Sequence, residues 1–141
     1  MAKGDTFHVS VITPERAVLE ADATFVAFPA HDGEVGILPG RAPLLFKMGI
    51  GLLRVESREG EERFFVDGGF AQMVENRLTL LTEQAKRLSE IDRAAAQRAF
   101  AAAHELPADT EAAFAARQRA LDRARVQLHL TGGGPGASAS A

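Results

Sequence analysis

Phe7, Val9 and Val11 alternate with His8 and Ser10. That period of two marks a strand with one buried face, because successive side chains leave opposite sides of an extended chain. Thr13-Pro14-Glu15 interrupts the pattern. A second extended run covers 24–28 and is expected to stop at Pro29, which has no N–H for a ladder. Glycines and prolines crowd 33–43, which reads as a loop. Short apolar runs follow at 52–56, 63–66, 70–74 and 78–81. Turn-forming residues separate them: Arg58-Glu59-Gly60-Glu61, Asp67-Gly68-Gly69 and Glu75-Asn76-Arg77. Strands this short, with turns between them, predict an antiparallel β-sandwich or barrel over residues 1–87.

The period then changes. Residues 92–124 hold fourteen Ala, no Gly and no β-branched residue except Thr110, a composition that favours helix. Ser89 is expected to cap a first helix, with Asp92 reaching back three residues on. Pro107 should end that helix near Glu105, and Asp109 or Thr110 should cap a second one running to about Leu130. The short link makes the pair an antiparallel hairpin, residues 88–131. Its second helix carries a seam of Phe114, Leu121 and Leu128 with Ala124 between. Its first helix faces that seam with Ala95, Ala96, Ala99, Ala102 and Ala103. Alanine stripes bury little area, so such a pair is weakly held. Residues 132–141, rich in Gly, Ala and Ser, have no apolar face to bury and read as a disordered tail.

Composition removes several classes of function. The chain has 141 residues, with sixteen Lys plus Arg against nineteen Asp plus Glu, a net charge of −3; that balance argues against nucleic acid as a partner. Cys is absent, which excludes disulfides, thiolate metal sites and cysteine nucleophiles. No apolar run approaches the roughly 18 residues that span a bilayer, so no direct membrane insertion is expected. The four histidines, His8, His31, His104 and His129, are scattered without metal-ligand spacing. Asp32 and Glu34 around Gly33 supply too few oxygens for a calcium loop. Gly68-Gly69 has no Lys-Ser or Lys-Thr beside it for a phosphate loop. No serine sits in a nucleophile elbow, so no catalytic residue is assigned. Arg117, Arg119, Arg123 and Arg125 make the second helix basic against two acids, either a solvated face or an arm for an acidic surface.

Residues 33–45, Gly33-Glu34-Val35-Gly36-Ile37-Leu38-Pro39-Gly40-Arg41-Ala42-Pro43-Leu44-Leu45, resemble the epsilon subunit of the bacterial F-type rotary ATP synthase. So do Val11-Ile12-Thr13-Pro14-Glu15-Arg16 and Phe64-Phe65-Val66-Asp67-Gly68-Gly69-Phe70, the last similar to the family's central hairpin. Leu78-Thr79-Leu80-Leu81-Thr82 and Glu90-Ile91-Asp92 follow in the expected order. The resemblance implies the same architecture, a β-sandwich followed by a helical hairpin. It also implies a noncatalytic rotor subunit on the cytoplasmic face of the bacterial plasma membrane, coupling gamma to the c-ring during proton-driven synthesis. The stretch similar to the family's c-ring contact contains His31, Asp32, Glu34 and Arg41, with Arg41 where His is common. The hairpin is implied to inhibit ATP hydrolysis by extending toward the alpha and beta subunits, with Arg117, Arg119, Arg123 and Arg125 facing an acidic region of beta.

Some family members bind ATP through Ile/Leu-Asp-x-x-Arg-Ala. Here Ile91-Asp92-Arg93-Ala94-Ala95-Ala96 puts Ala95 where the phosphate-binding Arg would stand. Ile91 and Asp92 are therefore read as a vestigial nucleotide site, and no cofactor is expected. A nucleotide-binding sensor and a generic β-sandwich adaptor are the alternative readings.

Overall fold

The computed structural model describes residues 5–132; the expected tail lies outside them except for Gly132. The chain divides after Arg87 into two compact units. In the first, eight strands run in the order β1 (Phe7–Ile12), β2 (Ala17–Ala23), β3 (Phe25–Ala30), β4 (Gly33–Ile37), β5 (Leu44–Ser57), β6 (Gly60–Val74), β7 (Arg77–Leu81) and β8 (Ala85–Arg87). They hydrogen-bond as β2-β1-β7-β6-β5-β3-β4, with β8 also on β6.

Two long strands, β5 and β6, serve both layers of the sandwich. Residues 70–74 of β6 pair with β7, while 64–66 pair with β8. Phe7, Val9, Val11, Val26, Phe28, Leu53, Val55, Phe64, Val66, Ala71, Met73, Leu78 and Leu80 form one buried cluster drawn from both layers.

The sheet departs from the short antiparallel strands expected in three ways. First, β1 and β7 are parallel, Val9 opposite Leu78 and Val11 opposite Leu80. Second, the runs at 63–66 and 70–74 belong to one strand. Asp67-Gly68-Gly69 is a bend inside β6 rather than a chain reversal, with φ of +70° at Gly68 and +107° at Gly69. A Cβ on Gly69 would run into the Leu81 carbonyl oxygen, so glycine is required there by space as well as by torsion. Third, β3 continues through Pro29. Its ladder with β5 skips from Ala27 to Ala30, and that irregularity accommodates the missing donor.

The second unit holds α1 (Arg93–His104) and α2 (Glu111–Leu130). Asp92, not Ser89, caps α1: its carboxylate accepts from the amides of Ala94 and Ala95 at 3.0 and 3.2 Å. Ser89 lies instead in a 3₁₀ turn, Leu88–Glu90, too early in the chain to reach those amides. Thr110 caps α2 through the amide of Ala113. The helices are antiparallel, since the start of α1 bonds the end of α2 and the end of α1 bonds the first half of α2. Their buried contact is narrower than expected: Ala96 and Ala103 face Leu121 and Ala124, while Ala99 and Ala102 are exposed. Phe114 is exposed as well. Arg117 already stands level with His104, so the first turn of α2 projects past the end of α1 and has no helix opposite it.

Candidate interaction surfaces

The core-facing residues of β1, β6 and β7 alternate with a second set on the outer side of the same layer. Register places Lys47, Phe70, Leu81, Ile12 and Ala17 in one cross-strand row, and Leu45, Gln72, Thr79, Ser10 and Glu20 in the next. Leu45 is 72% exposed, Phe70 50%, Leu81 49% and Val74 39%. Phe70 and Leu81 are direct cross-strand partners. The result is a sheet face with four exposed large apolar side chains, Phe70 and Leu81 side by side at its centre and polar Gln72 and Thr79 in the next row, the kind of surface that marks an interaction site.

Its polar margin lies at β1 and β2. Nε2 of His8 stands 2.7 Å from Glu20 Oε1, and its Nδ1 is 3.4 Å from Asp22. The Ser10 hydroxyl donates to the same Glu20 oxygen at 2.8 Å. Ser10 first, then His8, hold the Glu20 carboxyl below its ordinary value, because both stabilise the charged form. The sequence signal for this face was the placing of apolar residues at successive positions, Leu80-Leu81 and Met73-Val74, which a strand buried on one side only does not need.

The stretch 33–43, expected as a loop, contains β4. His31 and Asp32 form the two-residue turn that brings Gly33 opposite Ala30, whereas Arg41 lies beyond the other end of β4. The four residues His31, Asp32, Glu34 and Arg41 therefore do not form one cluster. Glu34, on β4, stands 3.7 Å from the guanidinium of Arg54, which also meets Glu56 at 3.2 Å and Glu61 at 3.5 Å. At the far end, Leu38-Pro39-Gly40-Arg41 is a turn closed by the Arg41 amide on the Leu38 carbonyl, with Gly40 at φ +80°; Pro then Gly with positive φ is the type II pattern.

The four arginines of α2 separate as well. At about 100° per residue, Arg117 falls with Leu121, Ala124 and Leu128 on the buried seam, Arg119 falls on the opposite side and Arg123 on the flank. The Nη2 of Arg117 donates to the His104 carbonyl at 3.4 Å. Its Nε is buried without a hydrogen-bond partner. Arg125 pairs with Asp122 at 2.8 Å. Arg119 is exposed and Arg123 half-buried. At the start of α1, Ile91 is half-buried and Asp92 is committed to its cap. Arg93 donates to the Leu128 carbonyl.

Among the described residues, no group of three or more His, Asp or Glu side chains could hold a metal ion, and no helix is long and apolar enough to cross a membrane.

Residues 6–88 match the family model described as ATP synthase, Delta/Epsilon chain, beta-sandwich domain. The ATP synthase epsilon chain of Rhodopirellula baltica is 42% identical over 121 residues, 86% of this chain and 94% of the relative. That of Synechococcus elongatus is 40% identical over 130 residues, 89% and 94% of the two chains. Among solved structures, a chain of the Euglena gracilis mitochondrial ATP synthase superposes with a TM-score of 0.75 at 22% identity, covering 86% of this chain and 78% of that one. A chain of the Tetrahymena thermophila mitochondrial ATP synthase central stalk and c-ring gives 0.64 at 16% identity, covering 92% and 99%. These structural likenesses establish the fold, and the identities extend across both the sandwich and the hairpin. By sequence and by fold, the chain belongs to the family of ATP synthase epsilon chains.

Proposed function

We propose that this epsilon chain is a noncatalytic subunit of the central stalk that couples gamma to the c-ring during proton-driven ATP synthesis. The observation that carries the proposal is the outer sheet face of Leu45, Phe70, Val74 and Leu81, exposed in the chain alone and suited to burial on gamma. An apolar patch with a polar margin is the usual anatomy of a stable interface. The β4 stretch, with Glu34 on the strand and Arg41 beyond it, faces the polar loops of the c-ring. A subunit so held is peripheral, on the cytoplasmic face of the bacterial membrane.

The hairpin acts as a brake on ATP hydrolysis, extending toward the alpha and beta subunits. Two features support this: its buried contact is small, and Arg119 is exposed on the side of α2 away from the seam, where an acidic surface can meet it. The nucleotide-sensor alternative finds no support at the start of α1. Ala95 offers no cation, Asp92 is used as a cap, and Arg93 is bonded to α2.

The test is to add either the full chain or a chain ending at Leu88 to epsilon-depleted ATPase complex, recording binding and hydrolysis. Binding by both, with slowed hydrolysis only by the full chain, is the expected result. Failure of the full chain to bind would return the protein to the class of β-sandwich adaptors.

A further inference from the structure

Glu75 and Asn76 form the two-residue turn between β6 and β7, Val74 opposite Arg77, and both have positive φ, 51° and 64°. That is the type I′ geometry of tight hairpins, in which Asn and Gly are favoured because they tolerate left-handed torsions. A turn of this kind needs nothing from the Asn side chain. Here, however, both the nitrogen and the oxygen of the side-chain amide are bonded, and to segments far away in sequence.

Nδ2 of Asn76 donates to the carbonyl of Thr6 at 2.8 Å, and its Oδ1 accepts from the amide of Gly40 at 2.9 Å. The Asn76 backbone carbonyl also accepts from the His8 amide at 3.1 Å. In the Leu38–Arg41 turn, the amide of Arg41 closes the turn and that of Gly40 is left over, as in any type II turn. Asn76 takes that spare donor.

We infer that Asn76 is the positioning residue of the Leu38–Arg41 turn, tying it to the β6–β7 hairpin and the start of β1 and thereby fixing where Arg41 is presented. Its importance for coupling rests on the reading above, in which the stretch around Arg41 faces the ring. A turn that transmits torque must hold its shape under load. A single side chain bonded on both sides supplies that stiffness at a position where the turn itself is exposed.

Asn76→Gly separates the side chain from the turn, because Gly fits the left-handed position at least as well. In the full chain, amide exchange followed by NMR is expected to be about tenfold faster at Gly40 in Asn76→Gly, the loss of one local hydrogen bond. His8, bonded to the backbone carbonyl of residue 76, should keep its protection. Asn76→Asp retains an acceptor for Gly40 but turns a carboxylate oxygen toward the Thr6 carbonyl, so Gly40 exchange should fall between that of the parent and that of Asn76→Gly. Unchanged Gly40 exchange in Asn76→Gly, or an acceleration no greater than that at His8, would overturn the inference.

The same variant reconstituted into epsilon-depleted complex reports on the reading beneath it. Protons pumped per ATP hydrolysed should fall. A faster Gly40 amide with undiminished pumping would leave Asn76 as the tie of this turn and remove the ring-facing role of the turn.

Discussion

Arg93, the first residue of α1, donates through Nη1 to the carbonyl of Leu128 near the end of α2, 2.9 Å away, and lies 3.4 Å from the Thr131 hydroxyl. A cation here meets the carbonyls that a helix leaves unpaired at its C-terminus, where the macrodipole favours positive charge. Arg117 does the converse, donating to the last carbonyl of α1 at His104. Each helix is thus capped by an arginine of the other, which compensates for a seam made mostly of Ala.

Arg93→Met keeps the aliphatic stem and removes the cap. It should destabilise the hairpin by about 1.5–3 kcal/mol, the worth of a hydrogen bond to a charged group. Amide exchange of residues in α1 and α2 of the full chain measures this, with the sheet amides as internal reference. Protection unchanged in both helices would show that the bond contributes nothing.

Gly69→Ala should be severely destabilising, by more than about 2 kcal/mol, since the new Cβ meets the Leu81 carbonyl at a positive φ. Urea unfolding followed by the fluorescence of a Trp placed at a neutral surface position reads the loss. Gly60→Ala is the comparison. It too has positive φ, but its Cβ would find open space, so it should cost less.

The patterns nearest the backbone were legible in the sequence. Phe7, Val9 and Val11 do face the core, and Thr110 does start α2. Where the reading failed, a distant partner decided. Asp67-Gly68-Gly69 announces positive φ, but whether the chain reverses there depends on β5 running alongside, Met48 opposite Gly69 and Ile50 opposite Asp67. Gly36 looks like loop glycine, yet it lies in β4 with the Phe25 ring where a Cβ would be. The strand Ala17–Ala23 was missed because at an edge it buries only Ala23 fully. Asn76 looked like any turn residue, because its partners are 36 and 70 positions away.

Glu20 gives the first unit a signed response to acid. Its folded carboxyl titrates below the unfolded one, so its contribution is complete above the ordinary carboxylate value and is lost as pH falls through the folded value. The Tm of the parent should exceed that of Glu20→Gln at pH 6, with the gap closing below about pH 4. A gap that stays constant from pH 6 to pH 3 would show that the Ser10 and His8 contacts do not favour the charged form.

Charge reversal at Arg119 and Arg123 tests the brake. Arg119 is exposed on the side of α2 away from the seam and Arg123 is half-buried on its flank, so Arg119→Glu alone should leave assembly intact, and Arg119→Glu with Arg123→Glu should relieve inhibition of ATP hydrolysis several-fold. Full inhibition by the double variant would dissociate the basic residues from braking.

The docking face is tested most directly by the affinity of the full chain for epsilon-depleted complex when Phe70→Asp and Leu81→Asp are introduced one at a time. Both side chains are half-exposed in the chain alone, so folding should survive. Each substitution should weaken binding at least about tenfold, as expected for a large apolar residue buried near the centre of an interface. Parental affinity in both variants would contradict the assignment of this sheet face to gamma.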